Sequence, residues 1–223
     1  MSRTLSEAAS KELLRPFGVP FLAEHVARTP GEAFDAATAL GAPVVAKLCG
    51  DAIAHKTERG LVRLGLESPK AARSAAAELF AAARPEDGEV SVLVAPMVRA
   101  TRELIAGVSV DAQFGPTVLL GVGGVLAEAV ADAVVRLVPV DAVDASEMID
   151  DLASQALLGS FRGEPPVDRE ALIAVILALS IAAEAEPALV SIDLNPLMIV
   201  DGRPVAVDAL VEVADALPSA RSH

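Results

Sequence analysis

Nowhere does this sequence gather lysines and arginines into a basic patch. Its 18 basic residues stand against 31 acidic ones over 223 positions, a net charge of -13 with a pI near 4.6. Such a surface repels polyanions, which argues against nucleic acid and anionic membrane as partners. A nucleotide is still permitted, since it needs only a local lysine, a few backbone amides and a divalent cation. Cysteine is nearly missing: Cys49 stands alone, so no internal disulfide can form and the composition fits a reducing compartment. Long apolar runs are missing as well. The most apolar uncharged one, Ala171 to Ala183, is shorter than the roughly 20 residues that cross a bilayer. The N-terminus, MSRTLSEAASKELL, has acids where a signal peptide would carry its apolar core. A cytoplasmic protein is expected, with no internal repeat and no low-complexity linker.

What is present is a folding composition. Hydrophobic residues make up 53% and charged residues 22%, enough for one large or two small domains with real cores. Ser6 is placed to cap a helix that Pro16 and Gly18 stop, and Pro20 to Ala27 has strand character. Thr29-Pro30-Gly31-Glu32 reads as the start of a helix to Leu40 with Ala33, Phe34, Ala37 and Leu40 on one face. Val44 to Leu48 follows as a strand, a β-α-β order that opens an α/β lobe. A polar loop from Gly50 to Gly60 leads to the strand Leu61 to Leu66. Ser68 starts a helix to about Ala83, and Val90–Val98, Glu103–Val110 and Thr117–Leu120 read as strands. Gly121 to Gly124 leads into a short helix carrying Glu128 and Asp132, and then into the strand Val134–Pro139. A helix lies within Asp141 to Leu158 with Asp144 or Ser146 as its cap. The irregular loop from Gly159 to Pro166 includes Arg162, and Asp168 caps a deeply packed helix to Ala185.

The segment from Ser191 to Val213, SIDLNPLMIVDGRPVAVDALVEV, carries the chemistry. Asp201-Gly202 between two apolar runs predicts a type I′ hairpin. With that dipeptide as the loop, Val200 faces Arg203, and counting down both strands sets Asn195 opposite Asp208. Asp193 lies two residues from Asn195, on the same face. Three oxygen-bearing side chains are then expected within roughly 5 to 8 Å of one another. Strict alternation puts Leu197, Ile199 and Leu210 on that face as well, so both faces look covered and the acids look in need of a cation. Oxygen donors without His or Cys suit Mg²⁺ shared with nucleotide phosphates. Pro196 cannot donate to the ladder and could place a bulge there. Earlier in the chain, Lys47 in an otherwise apolar strand either snorkels or meets an anion. The following loop, with His55, Lys56 and Thr57, could close over a phosphate.

Taken in order, SEAASKELLRPFGVP, GAPVVAKL, AHKTERGLVRLGL, VLVAPMV, RELIAGVSVDAQFGPTVLLGVGGVLAEAVAD, LLGSFRGEPPVD, and IDLNPL with AVDALV resemble the ATP-grasp domain of NDP-forming acyl-CoA synthetases. The similarity is to the β subunit of ADP-forming acetate-CoA ligase and, more distantly, to the nucleotide-binding part of succinyl-CoA synthetase β. It covers nearly the whole chain. The resemblance implies an ATP-grasp fold of mixed α/β lobes, residues 1–98 and 99–223, gripping ATP, with the first helix packing on the other lobe. It implies that Lys47 holds phosphates, that His55, Lys56 and Thr57 cover them, that Val94, Ala95 and Met97 meet the adenine, and that Glu103 faces the ribose. Asp193, Asn195 and Asp208 would take Mg²⁺. His55 would be a catalytic phosphoryl relay with Lys47, serving interconversion of acyl-CoA and carboxylate with ATP or ADP. CoA would be bound by a separate α subunit carrying the principal phosphohistidine. Leu61 stands where the family pattern has a glycine, and Ser191 where it often has an acid. A lapsed nucleotide-binding regulatory module and a carboxylate-amine ligase are the alternatives.

Overall fold

The computed structural model describes residues 2–50, 52, 53, 56, 58–124 and 131–215. Eleven strands and five helices are seen among them. The chain divides into two compact units: Met1–Thr4 with Ser10–Phe21 and Ala100–His223, and Leu5–Ala9 with Leu22–Arg99. The helix α1 (Glu7–Leu14) contributes residues to both.

The smaller unit is a four-stranded sheet, β2 (His25–Ala27), β3 (Val44–Cys49), β4 (Val62–Leu66) and β5 (Ser91–Pro96), in the order β2-β5-β3-β4. The β-α-β order does not give a parallel pair, because β5 inserts between β2 and β3 and runs antiparallel to both. Two helices, α2 (Pro30–Leu40) and α3 (Pro69–Ala81), cover the sheet. Both begin on capped prolines: Thr29 and Ser68 accept from the amides of Glu32 and Ala71, caps worth about 1 kcal/mol each. Their inner faces are alanines (Ala33, Ala36, Ala37, Ala72, Ala76), which let the helices approach Val44, Leu48, Val92 and Val94 closely. The expected strand from Pro20 is confined to His25–Ala27 plus an isolated bridge at Phe21.

The larger unit is a seven-stranded antiparallel sheet. Its path is β1 (Ser2–Thr4), β11 (Leu210–Ala214), β9 (Leu189–Val200), β6 (Glu103–Asp111), β7 (Gly115–Val122) and β8 (Ala133–Leu137), with β10 (Arg203–Ala206) also on β9. Helices α4 (Ala142–Asp151) and α5 (Arg169–Ala185) pack on it. Leu172, Ile176 and Leu179 of α5 are fully buried, as are Met148 and Ile149 of α4. The cap of α4 is Asp141 rather than Asp144 or Ser146. Its carboxylate accepts from the amides of Val143 and Asp144, and Asp144 returns a bond to the Asp141 amide, a reciprocal box that neither later residue can form. The helix expected after Gly124 falls mostly on residues 125–130, Glu128 among them, outside the described residues.

Candidate functional site

The hairpin forms as its turn dictates. Asp201 and Gly202 have φ of 49° and 83°, the double positive φ of a type I′ turn. Val200 faces Arg203 and Leu197 faces Ala206. Beyond a break at Val207 to Ala209, the same numbering resumes with Leu210 opposite Asp193 and Val211 opposite Ile192. The register is therefore continuous through the break, where the Val207 amide donates to the Pro196 carbonyl, and it sets Asp208 across from Asn195. The bulge anticipated near Pro196 occurs on the other ladder, where β6 shifts by one between Leu104 and Ala106.

That shift overturns one expectation. Ile192 and Leu194 are buried before Asn195-Pro196, and Leu197 and Ile199 are buried after it, so the core-facing parity of β9 flips at this dipeptide. Leu197 and Ile199 lie in the core and do not share the face of Asp193 and Asn195. Those two side chains are exposed, beside an exposed Leu210, so the acid is not covered on both sides. Even so, the Asp193 carboxyl is pushed above its ordinary range, first by desolvation and then by the charge of Asp208. Asp208 itself is half-buried and accepts from the Ala209 amide. The Asp208 charge makes ionised Asp193 costlier, and two carboxylates with an amide oxygen are a hard donor set that fits Mg²⁺. Among the described residues no group of three or more His, Cys, Asp or Glu is placed to hold a metal.

A cavity of about 400 Å³ adjoins Asn195, lined also by Ile105, Gly124 and Asp132. Asp132 is committed to the fold. Its carboxylate accepts from the Ala153 and Ser154 amides, and bonds from Ser154 and Ala153 hold it below the usual range. Glu103 opens β6, half-buried, with its carbonyl accepting from the Gly123 amide.

In the smaller unit, Lys47 points from β3 to Glu7, with Nζ 2.8 Å from the carboxylate. Lys56 bonds the other oxygen of the same carboxylate. Lys47 therefore neither snorkels nor waits alone. His55 and Thr57 lie outside the described residues. Val94 is fully buried in the core, and its backbone sits between two ladders. Ala95 is buried opposite Val45, while Met97 is half-buried just past the strand, its amide donating to Pro43 and its sulfur accepting from Gly65. Leu61, the departure from the glycine pattern, is a core residue whose amide donates to the Lys56 carbonyl.

Sequence reasoning missed Glu7 and Arg102. Glu7 lies in the first turn of α1 and drew no role from the sequence, yet it is buried and bonded to Lys47 and Lys56. Arg102 reads as a loop residue but is buried, paired to Glu164 at 3.2 Å and donating to the carbonyls of Leu157, Gly159 and Pro165. It fixes the loop at whose tip Arg162 sits with φ of 49° over the Phe161 ring. A charge beside a strand start was the only hint in the sequence.

Two antiparallel sheets, one with a lysine pair and one with a hard-oxygen hairpin, define the class. Residues 1–213 match the ATP-grasp domain family, and the chain belongs to it. The chain is 35% identical over 211 residues to the β subunit of acetate-CoA ligase [ADP-forming] I of Pyrococcus furiosus, covering 93% of this chain and 91% of that one. The isozyme II β subunit of the same organism is 34% identical over 197 residues, 86% and 84% of the two chains. Longer relatives such as acetate-CoA ligase [ADP-forming] I of Archaeoglobus fulgidus are matched over only 29% of their length, at 31% identity and 88% of this chain. Among solved structures, an acetyl-coenzyme A synthetase of Ca. Korarchaeum cryptofilum, in complex with coenzyme A and Ca-AMPCP, superposes with a TM-score of 0.87 at 30% identity, covering 95% and 93% of the two chains. The same synthetase with Mg-AMPPCP, its phosphohistidine segment pointing towards the nucleotide binding site, gives 0.82 at 30% identity and the same coverage.

Proposed function

We propose that this chain is the nucleotide-binding β subunit of an ADP-forming acyl-CoA ligase that works with a separate α chain in the cytoplasm. The observation that carries the reading is the hairpin register, which sets Asp193, Asn195 and Asp208 together on a chain that matches free-standing β subunits nearly end to end. Asp193, Asn195 and Asp208 would hold Mg²⁺, which when bound offsets the charge of the phosphates. Lys47 and Lys56 place ammonium groups for phosphate oxygens, and Met97 and Glu103 serve the adenine and ribose. Charge neutralisation and in-line positioning are the main contributions a protein makes to phosphoryl transfer.

The overall reaction converts acyl-CoA, ADP and phosphate to carboxylate, CoA and ATP. In it the phosphoryl group leaves an acyl phosphate, passes to histidine and ends on ADP. His55 is proposed as the relay of this chain, since a neutral imidazole nitrogen is nucleophilic near pH 7. CoA and the principal phosphohistidine belong to the α chain.

The test mixes the chain with a CoA-binding α chain, MgATP, CoA and a panel of short carboxylic acids, and follows ADP. The reading expects ADP that depends on both chains and on CoA. It also expects His55→Ala to stop phosphoryl transfer while leaving ATP binding intact. ADP release from this chain with an amine acceptor and no CoA would favour an amine ligase instead. Full activity of His55→Ala would remove the relay role.

A further inference from the structure

The carboxylate of Glu7 is fully buried, while the Lys47 and Lys56 side chains it bonds are 13% and 11% exposed. A buried carboxylate is costly unless cations compensate it, and a single lysine is the usual partner. Here one carboxylate engages two, one through each oxygen. Because both ammonium groups bond oxygens of one carboxyl group, they are held roughly 4 to 6 Å apart by hydrogen-bond geometry. Each ammonium has three donors, of which Glu7 takes one.

The backbone reinforces this spacing. The Leu61 amide donates to the Lys56 carbonyl at 2.8 Å, and the Leu48 amide, next to Lys47, donates to the Leu61 carbonyl at 2.9 Å. Both lysines are thereby tied to the ladder between β3 and β4. On the partner side, Glu7 is the first residue of α1. Ser6 precedes it with Oγ 3.4 Å from the Ala9 amide, and a carboxylate in the first turn is favoured by the helix dipole. The helix start thus presents Glu7 at a fixed place.

We propose that Glu7 is a positioning residue for nucleotide binding, holding Lys47 and Lys56 at the spacing of adjacent phosphoryl groups. The inference rests on the nucleotide-binding reading above. Glu7 acts through the lysines and needs no contact with the nucleotide. Its coulombic repulsion of phosphate opposes binding, but without it two partly buried ammonium groups have lost the group that fixes their separation, and ordering them again costs side-chain entropy at each binding event.

The experiment titrates full-length wild type, Glu7→Gln and Glu7→Asp with MgATP by calorimetry, and with adenosine by competition. Glu7→Gln is expected to weaken MgATP about tenfold and leave adenosine within twofold, with Glu7→Asp recovering part of the loss. In a Lys56→Met background the same Glu7→Gln change should cost less than in wild type, because the pair no longer exists to be positioned. This second cycle uses partial loss only and stands even where Glu7→Gln lowers stability. Equal losses for MgATP and adenosine, tighter MgATP binding, or additive effects of Glu7→Gln and Lys56→Met would each overturn the proposal. Failure of wild type itself to bind any nucleotide would instead overturn the functional reading, and this proposal with it.

Discussion

Asp193 carries the electrostatic imprint of Asp208. Its carboxyl is raised by desolvation and then by that neighbouring charge, although its residue is exposed at the sheet face. Folding therefore leaves Asp193 with a higher pKa than the unfolded chain has. A carboxyl raised on folding disfavours the folded state when ionised, and that penalty fades as pH falls through the folded value. Asp193→Asn is expected to raise the melting temperature of the metal-free protein at pH 7, with the gain shrinking towards acid pH. Thermal melts from pH 4.5 to 7.5 check it; a lower melting temperature at pH 7 would contradict the sign. Mg²⁺ affinity should also fall on acidification earlier than an ordinary aspartate would allow, which calorimetry over the same range measures.

Arg102 is expected to be a stability residue of the larger unit. Its guanidinium satisfies three carbonyls and Glu164 while almost wholly buried. Arg102→Met leaves those acceptors without their shared donor. Breaking a buried pair from one side costs about 3 kcal/mol, and urea unfolding is the measurement. Hydrogen exchange should rise at Leu157 to Pro165 first, because that segment is what the side chain fastens.

Much of this arrangement was legible because it depends on short-range rules. Asp201-Gly202 fixed the hairpin and its register by turn chemistry alone, and Thr29, Ser68 and Asp168 marked helix starts. The parity flip at Asn195-Pro196 was not legible. It depends on the shift against β6, a strand some 90 residues distant in sequence, so alternation within β9 alone placed Leu197 and Ile199 on the wrong face. Glu7 and Arg102 were missed for a similar reason. A charged residue is assigned to solvent until the fold shows what encloses it.

In the smaller unit, acid sensitivity should centre on Asp87. Arg59 grips it through both oxygens at 2.7 and 2.9 Å, and the Arg84 amide adds a third bond. The Arg59 hydrogen bonds, then the Arg84 amide, lower its pKa to about 2. With the folded value below the unfolded one, the stabilisation is complete above the unfolded pKa near 4 and is lost as pH falls from there towards 2. Asp87→Asn should reduce stability at pH 6 and flatten its decline between pH 4 and 2.5. Denaturant midpoints across that range decide it, and an unchanged acid limb would rule the pair out as its source.

Gly107 tests whether the proposed metal-binding face depends on the spacing of the two central strands. It lies opposite Asp193 on β6, and a Cβ there would stand 2.4 Å from the Ile192 carbonyl oxygen. Real Cβ atoms do not approach backbone so closely, so Gly107→Ala must push β6 away from β9 or tilt it. Overpacking of this kind costs about 1 to 3 kcal/mol. The clash falls on the Ile192 carbonyl, next to Asp193 in β9, so its relief shifts Asp193 relative to Asn195 and Asp208. Gly107→Ala is therefore expected to lose Mg²⁺ affinity by about tenfold or more while keeping the fold by circular dichroism. A control at Gly115, whose Cβ would meet nothing within 4 Å but whose φ is +81°, should lose stability through backbone strain without changing Mg²⁺ affinity. If both variants bind Mg²⁺ as wild type does, the close approach at Gly107 serves packing alone.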